Sequence, residues 1–100
     1  STNSTLVKSS AGDLFRITGY NAKASAVYFK LYNKATAPTC GTDTPIQTHY
    51  IAATGKFEIN FDTPYYFTTG IGYCITTAAA DADTGVLVAA DIIALNVLYQ

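Results

Sequence analysis

Residues 24–33 read ASAVYFKLYN, and this run decides the fold because its side chains alternate in kind along most of its length. Val27, Phe29 and Leu31 fall in one phase, and Tyr28, Lys30 and Tyr32 in the other. A two-residue period filled with β-branched and aromatic residues fits a half-buried strand, one face on a core and the other toward solvent or a partner. Upstream, residues 14–20 form the next expected strand, with Phe15 and Ile17 inward and Arg16 and Thr18 outward. The short link 20–23 predicts a hairpin between these two strands. Residues 5–8 are expected as an edge strand, followed by a turn over 10–13.

Downstream the pattern stops at KATAPTCGTDTP, residues 34–45. Pro38 and Pro45 remove backbone donors and Gly41 admits a positive φ, so this is a loop. It is long by ordinary statistics, which marks it as a candidate contact site, and it is expected to cross from one sheet to the other. Strands follow at 46–51, at 56–61 with Phe57, Ile59 and Phe61 opposed to Lys56, Glu58 and Asn60, and, after a turn at 62–64, at 65–67. In 71–77, Ile71, Tyr73 and Ile75 oppose Gly72, Cys74 and Thr76, whose small side chains let something pack closely against them. Residues 78–90 read as loop rather than helix despite their alanines. The last run, DIIALNVLY at 91–99, is apolar in both phases. A strand of that kind expects cover on both faces, from the loop after Ala78 or from another subunit. Seven or eight short strands without a clear helix predict an all-β, single-domain antiparallel β-sandwich over residues 1–100, immunoglobulin-like or jelly-roll in connectivity.

Composition narrows the function classes. The chain of 100 residues is 49% hydrophobic and 13% charged, where soluble domains carry about 25% charged residues. A domain this poor in charge uses Thr, Ser and Asn as its polar coat or hides surface in an assembly. The net charge is -1, and the basic residues Lys8, Arg16, Lys23, Lys30, Lys34 and Lys56 form no cluster in sequence. That argues against a nucleic-acid partner. No apolar run approaches the ~20 residues that span a bilayer, so no membrane role is expected. The polar start and the lack of Met suggest initiator removal in a cytoplasm. Asn3-Ser4-Thr5 then reads as a chance match to a glycosylation acceptor.

Catalytic signatures are lacking. His49 has no second His, paired acid or nucleophile near it in sequence, so a structural or solvated role is expected. Asp81 and Asp83 before Gly85 share the start of a calcium loop, but the later ligand positions fall on Gly85 and Ile92. A solvated acidic turn is the reading, with no metal and no cofactor. Cys40 and Cys74 are expected as free, mostly buried thiols rather than as a disulfide. Eight tyrosines without Trp raise a sugar-stacking platform at Tyr28, Tyr32, Tyr65 and Tyr66, ranked behind sheet packing and protein contact.

The segments Ile17-Thr18-Gly19-Tyr20-Asn21, Tyr28-Phe29-Lys30-Leu31-Tyr32-Asn33-Lys34-Ala35, Ala37-Pro38-Thr39 and Gly41-Thr42-Asp43-Thr44-Pro45 resemble small structural proteins of tailed-bacteriophage virions. Phe67-Thr68-Thr69-Gly70-Ile71, Ala80-Asp81-Ala82-Asp83-Thr84 and Ala90-Asp91 extend that likeness over nearly the whole chain. The resemblance implies a non-enzymatic capsid decoration or cement protein, assembled in the host bacterial cytoplasm, with the major capsid protein or another virion protein as partner and homo-oligomers expected. A carbohydrate- or receptor-binding module of a head or tail fibre is the alternative. No catalytic residue follows from it. The contact surface is expected at Tyr28, Tyr32, Pro38, Thr42, Asp43 and Pro45, and at Ile92 and Leu98 of the last strand.

Overall fold

The computed structural model describes residues 4–100, so Asn3 of the glycosylation match lies outside the described residues. Seven strands are formed: β1 (Thr5–Lys8), β2 (Gly12–Asn21), β3 (Val27–Asn33), β4 (Gln47–Ile51), β5 (Gly55–Phe67), β6 (Ile71–Thr76) and β7 (Ile92–Tyr99). One sheet has the order β1-β6-β3-β4 and the other β5-β2-β7. Every pairing is antiparallel. The two sheets share one core, built from Val27, Phe29, Leu31, Ile71 and Ile75 on one side and Leu14, Ile17, Ile59 and Phe67 on the other. The all-β, two-sheet architecture is thus as expected and consistent with a sandwich.

The path of the chain differs from the sequence reading in three places. First, β2 and β3 form no hairpin, because they belong to different sheets. Asn21 turns the chain instead: its buried amide donates to Ser25 O at 3.2 Å and Ala52 O at 3.0 Å, while its Oδ1 accepts from Lys23 N at 3.0 Å. The corners leaving β2 and leaving β4 are therefore tied to one side chain. Second, the 34–45 loop joins β3 to β4, neighbours within one sheet, so it does not cross. Third, the strands expected at 56–61 and 65–67 are one strand, β5, whose ladder with β2 jumps from Arg16↔Asn60 to Leu14↔Tyr65.

At the same place an inward assignment is reversed. Against β7, Leu14↔Tyr99 is followed by Arg16↔Leu98, so Phe15 is the extra residue of a bulge, and Leu14 rather than Phe15 joins Ile17 in the core. A bulge inserts one residue and so flips the side-chain phase beyond it. In β7 the register shifts again around Ala94, whose φ is 53°. Ile92, Leu95 and Val97 end half-buried, whereas Ile93 and Leu98 face outward.

Candidate protein interface

The two outer faces of the molecule have opposite fates. On the four-stranded sheet the outward row is Tyr28, Lys30 and Tyr32 of β3 beside Thr76, Cys74 and Gly72 of β6. Its charged and aromatic members predicted an open surface, yet Lys30 and Tyr32 are fully buried. Two loops close over them. From the β3–β4 side, Pro38 lies on Gly72 so closely that a Cβ there would meet its Cδ at 2.8 Å. The adjacent Cys40 forms a disulfide with Cys74, the Cα atoms 6.1 Å apart. The expectation of free thiols is therefore overturned. The spacing of 34 residues in sequence hid the fact that the loop folds back onto β6.

From the other side, residues 77–88 reach over the same face. Lys30 Nζ donates to Ala80 O at 2.6 Å and Thr76 Oγ1 to Ala78 O at 2.9 Å. The two loops meet at Gly41, whose φ of 87° is the left-handed region open to glycine and whose absent side chain leaves room for Ala82 and Thr84. Asp43 pins the first loop, its Oδ2 accepting from Lys34 Nζ at 2.6 Å and Thr39 N at 2.8 Å. The Lys34 hydrogen bond, followed by that of Thr39, holds the Asp43 carboxyl below its ordinary value. Burial first, then the carboxylates of Asp43 and Asp81, push the Tyr32 hydroxyl up. It has no hydrogen-bond partner among the described residues.

Among the described residues nothing covers the three-stranded sheet in this way. Its outward rows run Asn60–Arg16–Leu98, Glu58–Thr18–Asn96 and Lys56–Tyr20–Ile93 across β5, β2 and β7. Arg16 and Glu58 form an exposed ion pair at 3.5 Å. Ile93, Leu98 and Tyr99 are 48%, 53% and 44% exposed, large apolar groups on one eight-residue edge strand. Beneath β7 the two sheets part to leave an open groove of about 500 Å³, walled by Tyr73 and Ile75 on one side and Ile92 and Leu95 on the other, with Leu87 between. The expectation that the last strand is covered on both faces fails within the protomer, since the loop after Ala78 covers the opposite sheet.

Compared with known proteins, the chain matches no family model, no curated protein and no solved structure. Its site is therefore read from geometry.

The residues expected to form one contact surface are divided. Tyr32 and Pro38 are buried inside the protomer, and Tyr28 is half-buried, its ring edge-on to Tyr50 at 5.6 Å. Thr42, Asp43 and Pro45 sit on the pinned loop, Thr42 exposed. Ile92 lines the groove and Leu98 stands exposed on β7. The four tyrosines proposed as a sugar platform are likewise dispersed: Tyr65 packs between Phe61 and Phe67 on β5, and only Tyr66 of the four is largely exposed. Ile93 and Tyr99 were not singled out on the last strand, whereas Arg16, expected outward, and Glu58, in the polar phase of its strand, do lie on the surface. The outward phase of β2 and β5 was legible, but that of β7 was scrambled by the shift at Ala94.

His49, Asp83 and Asp91 each hold local structure. His49 hydrogen-bonds with Gln47 at 2.8 Å and sets its ring edge-on to Phe61, and burial lowers its pKa. Asp83 Oδ2 accepts from Ala78 N and Gly85 N, both at 3.1 Å, so this carboxylate closes its own turn. Asp91 accepts from Val88 N at 3.0 Å and stands 3.9 Å from Lys23. Among the described residues no three His, Cys, Asp or Glu side chains gather as a metal site would require.

Proposed function

We propose that this protein is a non-enzymatic structural component of a tailed-phage virion, a decoration or cement protein that binds the major capsid protein and stabilises the shell. The observation that carries the reading is β7, an edge strand with no charged residue and with Ile93, Leu98 and Tyr99 outside the core. Such a strand beside an uncovered sheet face suits protein contact rather than a reaction. The resemblance of the chain to small virion proteins supplies the class of partner. The disulfide agrees with this setting, because virion surfaces keep disulfides whereas the bacterial cytoplasm reduces them. On this reading the bridge closes after the particle leaves the cell.

The connectivity we infer is immunoglobulin-like. The course from β2 through β6 changes sheet at every link except β3 to β4, as the central strands of that fold do in its form with the fourth strand beside the third, while the first and last strands lie beside each other's usual neighbours. Binding to expanded, empty capsids tests the function. Saturable uptake with a raised capsid melting temperature is expected, and Leu98→Asp is expected to lower uptake. No uptake by the native protein, or glycan binding without capsid binding, overturns the proposal.

A further inference from the structure

The four edge strands are not equally guarded. β1 ends in Lys8 and shifts register at its middle, β4 is five residues long, and β5 carries Lys56, Glu58, Asp62 and Pro64. Lysine, proline, bulges and shortness are the devices that stop one edge from pairing with another. β7 carries none of them along Leu95-Asn96-Val97-Leu98-Tyr99, the run beyond the kink at Ala94.

The open side of β7 can be assigned residue by residue. Gln100 gives both its N–H and its C=O to Asp13 of β2, at 2.9 and 3.0 Å. Along an extended strand these groups alternate in direction. Leu98 and Asn96 therefore also turn theirs toward β2, and Tyr99, Val97 and Leu95 turn theirs outward. The centre of that outward set is Val97.

We propose that two copies of this chain pair antiparallel through β7 about a two-fold axis at Val97, joining two three-stranded sheets into one of six strands. The register sets Val97 against Val97 of the second copy and Leu95 against Tyr99 as hydrogen-bonded pairs. Asn96 then lies beside Leu98 on the outer face. A two-fold axis sets each strand against itself, so a charge at Val97 would face its like and one at a flanking position would lie diagonal to its like. An edge without charge is the one such an axis tolerates, and this is what selects a second copy over a charged partner strand. In the outer rows, Arg16 and Glu58 sit on β2 and β5, separated from the second copy by β7 itself. The pairing stands independently of the virion role, since it needs only this chain.

Sedimentation equilibrium of the purified native protein, together with amide hydrogen exchange at high and low concentration, tests the proposal. A dimer is expected in which the amides of Leu95, Val97 and Tyr99 are protected, with that protection lost on dilution while the amide of Gln100 is unaffected. A monomer at every concentration, or a dimer in which those three amides exchange as in the monomer, overturns it. Leu98→Lys, which sets a charge beside Asn96 of the second copy, is expected to raise the dimer dissociation constant about tenfold with the monomer's unfolding midpoint unchanged. An unaltered dissociation constant in a folded variant also counts against the register.

Discussion

At the scale of single residues, several polar groups of this domain hold its loops and corners. Asn21 ties two sheet-to-sheet corners, and Asn33 repeats the device at a third, accepting from Thr69 N at 2.9 Å and donating to Thr68 Oγ1 at 2.8 Å. Lys30 shows how far this goes. Its ammonium is sealed beneath the 77–88 loop on a backbone carbonyl, so one charge anchors a stretch, residues 77–82, whose own side chains are all exposed. His49 gives a prediction with a definite sign. Burial against Phe61 lowers its folded pKa, whereas the unfolded chain keeps the ordinary value of about 6.5. The unfolded state therefore takes up the proton first on acidification. The contribution of His49 is fully present above the unfolded value and is lost as pH falls through the folded one. Asp43, held low by Lys34, adds a loss of the same sign in a more acidic window, below about 3.9. Urea unfolding followed from neutral pH downward is expected to show stability declining below about pH 6.5, with that first decline removed in His49→Gln. An identical profile in the variant would assign the decline to another group.

At the scale of elements, the loops are what sequence reasoning read least well. The strands were legible because alternation survives in isolation: Val27, Phe29 and Leu31 point inward as their spacing says, and Gly72, Cys74 and Thr76 do receive a closely packed neighbour. Where the chain goes between strands was not legible, because a five-residue link at 22–26 fits both a hairpin and a corner. Asn21 decided between them through contacts with Ala52, 31 positions away. The bulge at Phe15 and the shift at Ala94 were likewise invisible, since both depend on the partner strand. The disulfide was misread because composition alone could not place Cys40 over β6. Its removal has a calculable effect. Closing a loop of this span restricts the unfolded chain by about 4 kcal/mol in the entropic account, and measured losses run about 2–5 kcal/mol. The double variant Cys40→Ala with Cys74→Ala is expected to lose stability in that range, read by denaturant unfolding. Protease cleavage within residues 34–45 is expected to speed up, because only non-covalent contacts, those of Pro38, Gly41 and Asp43 among them, then hold the loop. An unchanged unfolding midpoint would mean that the loop is held without the bridge.

At the scale of the whole molecule, the deficit of charge noted in the sequence has two separate outlets. Part is internal: two loops, a disulfide and a buried lysine close one outer face, so the tyrosines that looked available are used within the protomer. The remainder stays outside, on β7 and on the sheet it edges. The candidate surface was thus half legible, with Leu98 on the open strand and Tyr32 on the covered one. A surface of this kind makes a distinctive demand on the forces that join two copies. Backbone hydrogen bonds and apolar contact carry no net charge, and the molecule's net charge of -1 offers little long-range repulsion. Salt shortens the reach of charges from about 30 Å at 0.01 M to about 3 Å at 1 M, but it leaves neutral contacts nearly untouched. Association through β7 is therefore expected to vary no more than about twofold across that range, with a slight strengthening at the high end where apolar burial is favoured. Sedimentation velocity at low and high salt measures this directly. A steep loss of association with salt would show that Arg16 and Glu58, rather than the uncharged edge, make the decisive contacts.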